Sequence, residues 1–121
     1  MTAAAKNQTG HRITIEPFDG KMVVSFHGAI VASANDTLVL RETGYDPVFY
    51  IPKDRVEMAF LQETNHHTTC PYKGEARYWS IAAEGEAADN AVWAYDTPKE
   101  GVEAIAGHVA FDRRFVTIDA G

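Results

Sequence analysis

The chain has 121 residues, 45% of them apolar, and a formal net charge of −6. That size and balance fit one globular domain and argue against nucleic-acid binding, because no cluster of Lys and Arg is present to replace counterions along a phosphate backbone. The single cysteine excludes an internal disulfide and any site built from several thiolates, and it fits a reducing compartment. No apolar run approaches the roughly twenty residues that a bilayer-spanning helix needs.

Met1 to Gly10 is small and polar, without the apolar centre of a secretory signal. The expectation is a disordered leader over residues 1–10, then a single β domain over residues 11–121, in a cytoplasmic protein that engages neither membrane nor nucleic acid. Arg12 to Glu16 alternates polar and apolar residues, as a half-buried strand does. Met22–Phe26 and Ala29–Ala32 follow, separated by the turn signal His27-Gly28. Thr37–Arg41 resumes the alternation, and Val48–Ile51 is β-branched and aromatic.

Asp54-Arg55-Val56-Glu57 has capping-box spacing and predicts a short helix that fades by Thr64-Asn65. His66 to Gly74 reads as a loop, since Pro71 lacks an amide donor and Gly74 favours a turn. Glu75–Ile81 alternates again, and Asn90–Tyr95 is another strand. Thr97-Pro98-Lys99-Glu100 repeats a helix-start pattern, with Gly107 as its stop. His108–Phe111 and Phe115–Ile118 form a closing hairpin around Asp112-Arg113-Arg114. These elements predict a mainly β protein of antiparallel sheets, tent-like or barrel-like, with two short helices.

Reactive groups concentrate between His66 and Ile81. Lys73, held by a tight turn beside aromatics, is suited to pair with a carboxylate or to act as an amine nucleophile. Cys70 could be activated by His67, three residues earlier. Glu42, just past a strand end, could pair with Lys73 or Arg77. Tyr50, Tyr72, Tyr78, Trp79, Trp93 and Tyr95 offer an aromatic cup with polar tips. His66, His67 and Cys70 are metal-ligand types, with His27 or His108 as distant additions. Neighbouring histidines on an extended chain face opposite ways, however, and a set without a second Cys makes a poor zinc site. There is no glycine-rich phosphate loop, no Gly-x-Ser-x-Gly elbow and no His-Glu-x-x-His helix.

Thr69 to Trp79, with its Cys-Pro-Tyr-Lys-Gly block, resembles the signature of the bacterial and fungal domain-of-unknown-function family 427. Ala29–Ser33, Pro47–Pro52, and Asn90–Tyr95 through Gly107–Phe111 resemble its flanking segments, so the likeness runs from Arg12 to Ile118. The resemblance implies a compact tent-like β fold shared with B-type methionine sulfoxide reductases and a zinc-binding exchange-factor chaperone. Those relatives often hold zinc through two Cys pairs. With one Cys here no structural zinc is expected, and no metal or cofactor is implied. Cys70, Pro71, Lys73, Gly74, Tyr78, Tyr50 and Trp93 match the signature.

The functional expectation is a pocket for an unknown small molecule, with an enzymatic role left open. Lys73, Cys70 and His67 are its candidate reactive groups, and Glu42, Tyr50, Arg77, Tyr78 and Trp93 its candidate ligand contacts. One alternative is a non-catalytic peptide- or protein-binding module. A further one is the nucleotidyltransferase-like activity suggested by a label attached to the family, although no Gly-Ser with paired aspartates supports it. An exposed edge strand would allow two copies to pair as a homodimer.

Overall fold

Where apolar residues alternate with polar ones, a strand presents one face to a core and the other to water or to a second layer. The structure is a computed structural model describing residues 10–120. The predicted leader therefore lies, apart from Gly10, outside the described residues. Ten strands run in order: β1 (Ile13–Pro17), β2 (Met22–Phe26), β3 (Ala29–Ala34), β4 (Leu38–Glu42), β5 (Val48–Pro52), β6 (Leu61–Cys70), β7 (Gly74–Ala83), β8 (Glu86–Ala94), β9 (His108–Phe111) and β10 (Thr117–Asp119).

They form a seven-stranded sheet in the order β1-β4-β5-β9-β8-β7-β6 and a three-stranded sheet in the order β10-β2-β3. Every strand pairing is antiparallel. The mainly β, antiparallel architecture expected from the alternation is therefore what the chain adopts.

Two cores result. Met22, Val24, Phe26 and Val31 of the small sheet pack on Ile51, Trp79, Ile81 and Val92 of the large one. Tyr50 and Ala110 are sequence neighbours of Ile51 and of Phe111 and Val109. They point the other way, and with Ile13, Leu40, Ala76 and Ile105 they build a second core on the opposite face of the large sheet. The candidate site stands on this second face.

Three expectations change. His108–Phe111 and Phe115–Ile118 do not pair as a closing hairpin: β9 pairs with β5 and β8 in the large sheet, and β10 pairs with β2 in the small one. Neither capping signature makes an α-helix. The first gives 3-10 turns at Lys53–Arg55 and Met58–Phe60, the second a 3-10 turn at Glu103–Ile105. Helix nucleation fixes several residues for one hydrogen bond, and here the flanking strands leave too few residues to recover that cost. The third change concerns Leu61 to Cys70, which is a ten-residue edge strand rather than a helix end and a loop. It pairs Leu61 with Ile81 and Cys70 with Gly74, with a register shift between Glu63 and His67. Among the described residues, no helix is long and apolar enough to cross a membrane.

Candidate functional site

The β6–β7 turn is the anchor. Pro71 ends β6, and Gly74 opens β7 with φ +113, a left-handed value that only glycine adopts without strain. Lys73 O, just before it, accepts the Lys99 amide at 3.0 Å, which fastens the turn to the 97–99 loop. The turn aims Lys73 inward: its side chain is only 10% exposed, and Nζ donates to Glu42 Oε1 at 2.7 Å. Cys70 Sγ lies 3.8 Å from the same amine. The other Glu42 oxygen, Oε2, meets His11 Nε2 at 2.8 Å. The His11 ring in turn stacks on Tyr72, with centroids 4.0 Å apart.

Burial alone would raise the Glu42 carboxyl. Hydrogen bonds from Lys73 and His11, together with their charge, outweigh it and hold the group below the usual carboxylate range. Glu42 is therefore an anion at neutral pH, and Lys73 acts as its ammonium partner.

Glu42 and Lys73 line one side of a cavity of about 650 Å³. Tyr50, Tyr78, Trp93 and Tyr95 line it as well. Their placement follows from strand register. Tyr78 and Trp93 are cross-strand partners on β7 and β8, with ring centroids 6.4 Å apart. Tyr50 on β5 sits opposite Leu38 of β4. The Trp93 indole N–H donates to the Tyr50 hydroxyl at 3.4 Å, and the Tyr78 and Thr68 hydroxyls lie 2.9 Å apart. Burial pushes the Tyr50 phenol up to about 12 and raises that of Tyr95 as well. Both are neutral hydrogen-bond donors at physiological pH.

The cavity mouth takes Tyr45 and Asp46 from the β4–β5 loop, Asp89 and Asn90 from β8, and the Asp112–Arg114 turn. Asn90 has φ +53 where the β7–β8 register slips; its amide donates to Ser80 Oγ, and its side-chain oxygen accepts from Thr64 at 2.7 Å. The hydrogen bonds and charge of Arg114 hold the Asp112 carboxyl down despite its partial burial.

Of the residues nominated from sequence, Cys70, Lys73, Glu42, Tyr50, Tyr78 and Trp93 line this one cavity. His67 and Arg77 do not. They are cross-strand partners, and an odd separation from Cys70 turns His67 to the other face of β6. Arg77 is committed elsewhere. It pairs with Asp96 at 2.6 Å and Glu63 at 3.1 Å, and lies over the Trp79 ring at 4.5 Å. The histidine that reaches the cavity is His66, edge-on to Tyr78 at 4.6 Å. His11 was not anticipated, because it contacts Glu42 and Tyr72 only through the folded sheet. Among the described residues no group of three or more His, Cys, Asp or Glu side chains is arranged to hold a metal ion.

A family model for a domain of unknown function, DUF427, matches residues 14–120. The chain belongs to the DUF427 family. The match takes in both sheets and every residue lining the cavity; His11, which bonds Glu42 from outside the lining, precedes it. No curated protein matches this DUF427 chain at a significant level.

Proposed function

We propose that the aromatic cavity is a binding site for a small organic molecule, with Lys73, Glu42 and Cys70 forming its reactive end. One observation carries the reading. A lysine on a turn, where water is ordinarily within reach, is instead drawn to 10% exposure and fixed to a carboxylate in a cavity wall. Ordering a long side chain and desolvating two charges is costly, and a merely structural turn does not require either. About 650 Å³ falls within the usual range of small-molecule pockets, and walls of aromatic rings with a few polar tips are the usual chemistry of such sites. Any catalytic role for Lys73 would be that of a charged hydrogen-bond donor, with Cys70 the available nucleophile beside it.

The test is a thermal-shift screen of a metabolite library against wild type and Lys73→Met. A specific ligand at a hundred times its Kd stabilises by about 2.7 kcal/mol. Wild type should therefore melt several degrees higher with a true ligand, and Lys73→Met should lose most of that gain. Ligands that stabilise Lys73→Met and Trp93→Phe as much as wild type would show that binding occurs elsewhere.

A further inference from the structure

The inner wall of the cavity holds an imbalance between donors and acceptors. Tyr95 is only 8% exposed and lines the cavity, and its hydroxyl has no hydrogen-bond partner among the described residues. The hydroxyl is not among the fully buried unpaired polar atoms, so it opens on the cavity, where a ligand oxygen can take the place of water as its acceptor. Tyr50 is buried more completely, at 1% exposure. Its oxygen accepts from the Trp93 indole, but its own hydrogen has no acceptor among the described residues. The two phenols are close enough that ionising one would oppose ionising the other.

The neighbouring polar hydrogens are also donors. Lys73 directs one N–H at Glu42 and one at Cys70 Sγ and keeps a third, and Cys70 carries a thiol. The acceptor in this corner, Glu42, is already taken by Lys73 and His11. The corner formed by Tyr50, Tyr95, Lys73 and Cys70 therefore offers hydrogens to a ligand oxygen, while the carboxylates of Asp46, Asp89 and Asp112 belong to the other part of the lining.

We propose that Tyr50 and Tyr95 receive an uncharged carbonyl oxygen of a planar ligand, such as an aryl amide, ketone or lactam, lying against the Tyr78 and Trp93 rings. This rests on the cavity being a ligand site, and it names the class of ligand. A carbonyl supplies the missing acceptor and a flat face for the rings. A carboxylate would have to shed its water beside Glu42, whose charge is already present. An ammonium would bring further donors to a wall that has no free acceptor.

The experiment uses three probes of one shape: benzamide, benzoate and benzylammonium, each titrated to about 10 mM, where fragments of this size bind measurably. The readout is the pair of indole N–H resonances in a nitrogen–proton correlation spectrum, with the Trp93 signal assigned by its persistence in Trp79→Phe. Benzamide should shift the Trp93 signal with saturation, and benzoate and benzylammonium should not. Tyr95→Phe should weaken benzamide roughly five- to tenfold, the effect of one hydrogen bond, while the unliganded protein melts no lower than wild type, since no bond is lost. Tyr50→Phe provides a second variant with the same expected weakening. Preference for benzoate or benzylammonium, or equal benzamide affinity in wild type and both tyrosine variants, would overturn the carbonyl assignment and leave the cavity as a ligand site. Absence of saturable shifts with all three probes would overturn both.

Discussion

Glu42 shows how one side chain can hold a site together. Its carboxylate takes Lys73 on one oxygen and His11 on the other while only 11% exposed. Exposed ion pairs contribute well under 1 kcal/mol, whereas removing one partner of a fully buried pair costs 3–5 kcal/mol. This pair sits between those limits, at a cavity wall, so Glu42→Gln should cost about 2 kcal/mol at pH 7 in urea unfolding. The pH dependence follows from linkage. The folded carboxyl titrates below its ordinary value of 4.5, so the unfolded chain binds the proton first as pH falls. The stabilisation is therefore complete above about pH 4.5 to 5 and disappears as pH drops through the folded-state value. Wild type and Glu42→Gln should differ at pH 7 and converge as the pH falls below the ordinary carboxylate range. A gap that stays constant over that range would mean that the Glu42 charge is not what stabilises the turn.

At the scale of elements, legibility depended on whether a strand had one wet and one dry face. Met22–Phe26 alternates buried and half-buried residues, and its sequence shows it. β6 has no buried residue along its ten positions, so Leu61 to Cys70 carries no apolar period, and its polar run reads as helix end and loop. This edge strand is held by its ladder to β7 and not by burial of one face. The site divides in the same way. Cys70, Lys73 and Tyr78 were legible together because they share one hairpin, and Glu42 because it ends a strand. His11, 31 residues from Glu42, had no local signal, and the choice between His66 and His67 required knowing that this stretch is a strand, in which His67 and Cys70 face opposite ways. The hairpin itself depends on Gly74. A Cβ there would sit 3.4 Å from Thr97 O on a backbone at φ +113. Gly74→Ala should destabilise by about 1–3 kcal/mol, the usual penalty for a side chain held at such a backbone angle. Because the strain lies beside Lys73, the variant should also lose ligand-induced thermal stabilisation. Full retention of both properties would show that the turn tolerates a shift and does not set the position of Lys73.

For the molecule as a whole, the large sheet is open in hydrogen bonding yet joined at one end by side chains. β1 and β6 are its two edges. Even so, His11, just before β1, stacks on Tyr72 in the β6–β7 turn and bonds Glu42, while Lys73 from that turn bonds the same carboxylate. The sheet must curl far enough for its first and last edges to approach, and right-handed strand twist accumulated over seven strands supplies such a curl. Glu42, Tyr72 and Lys73 of this clasp also line the cavity, so the clasp and the pocket share residues. The small sheet packs on the other face and does not touch the clasp. His11→Ala should therefore loosen one end only. Hydrogen exchange should speed up at amides of β1 and of residues 71–74, where local opening is controlled by few contacts. Amides of β2 and β3 should keep wild-type protection, since their opening draws on the other core. Uniform acceleration across both sheets would mean that the clasp supports global stability, whereas no change at β1 would mean that its edge is held by its ladder to β4 alone.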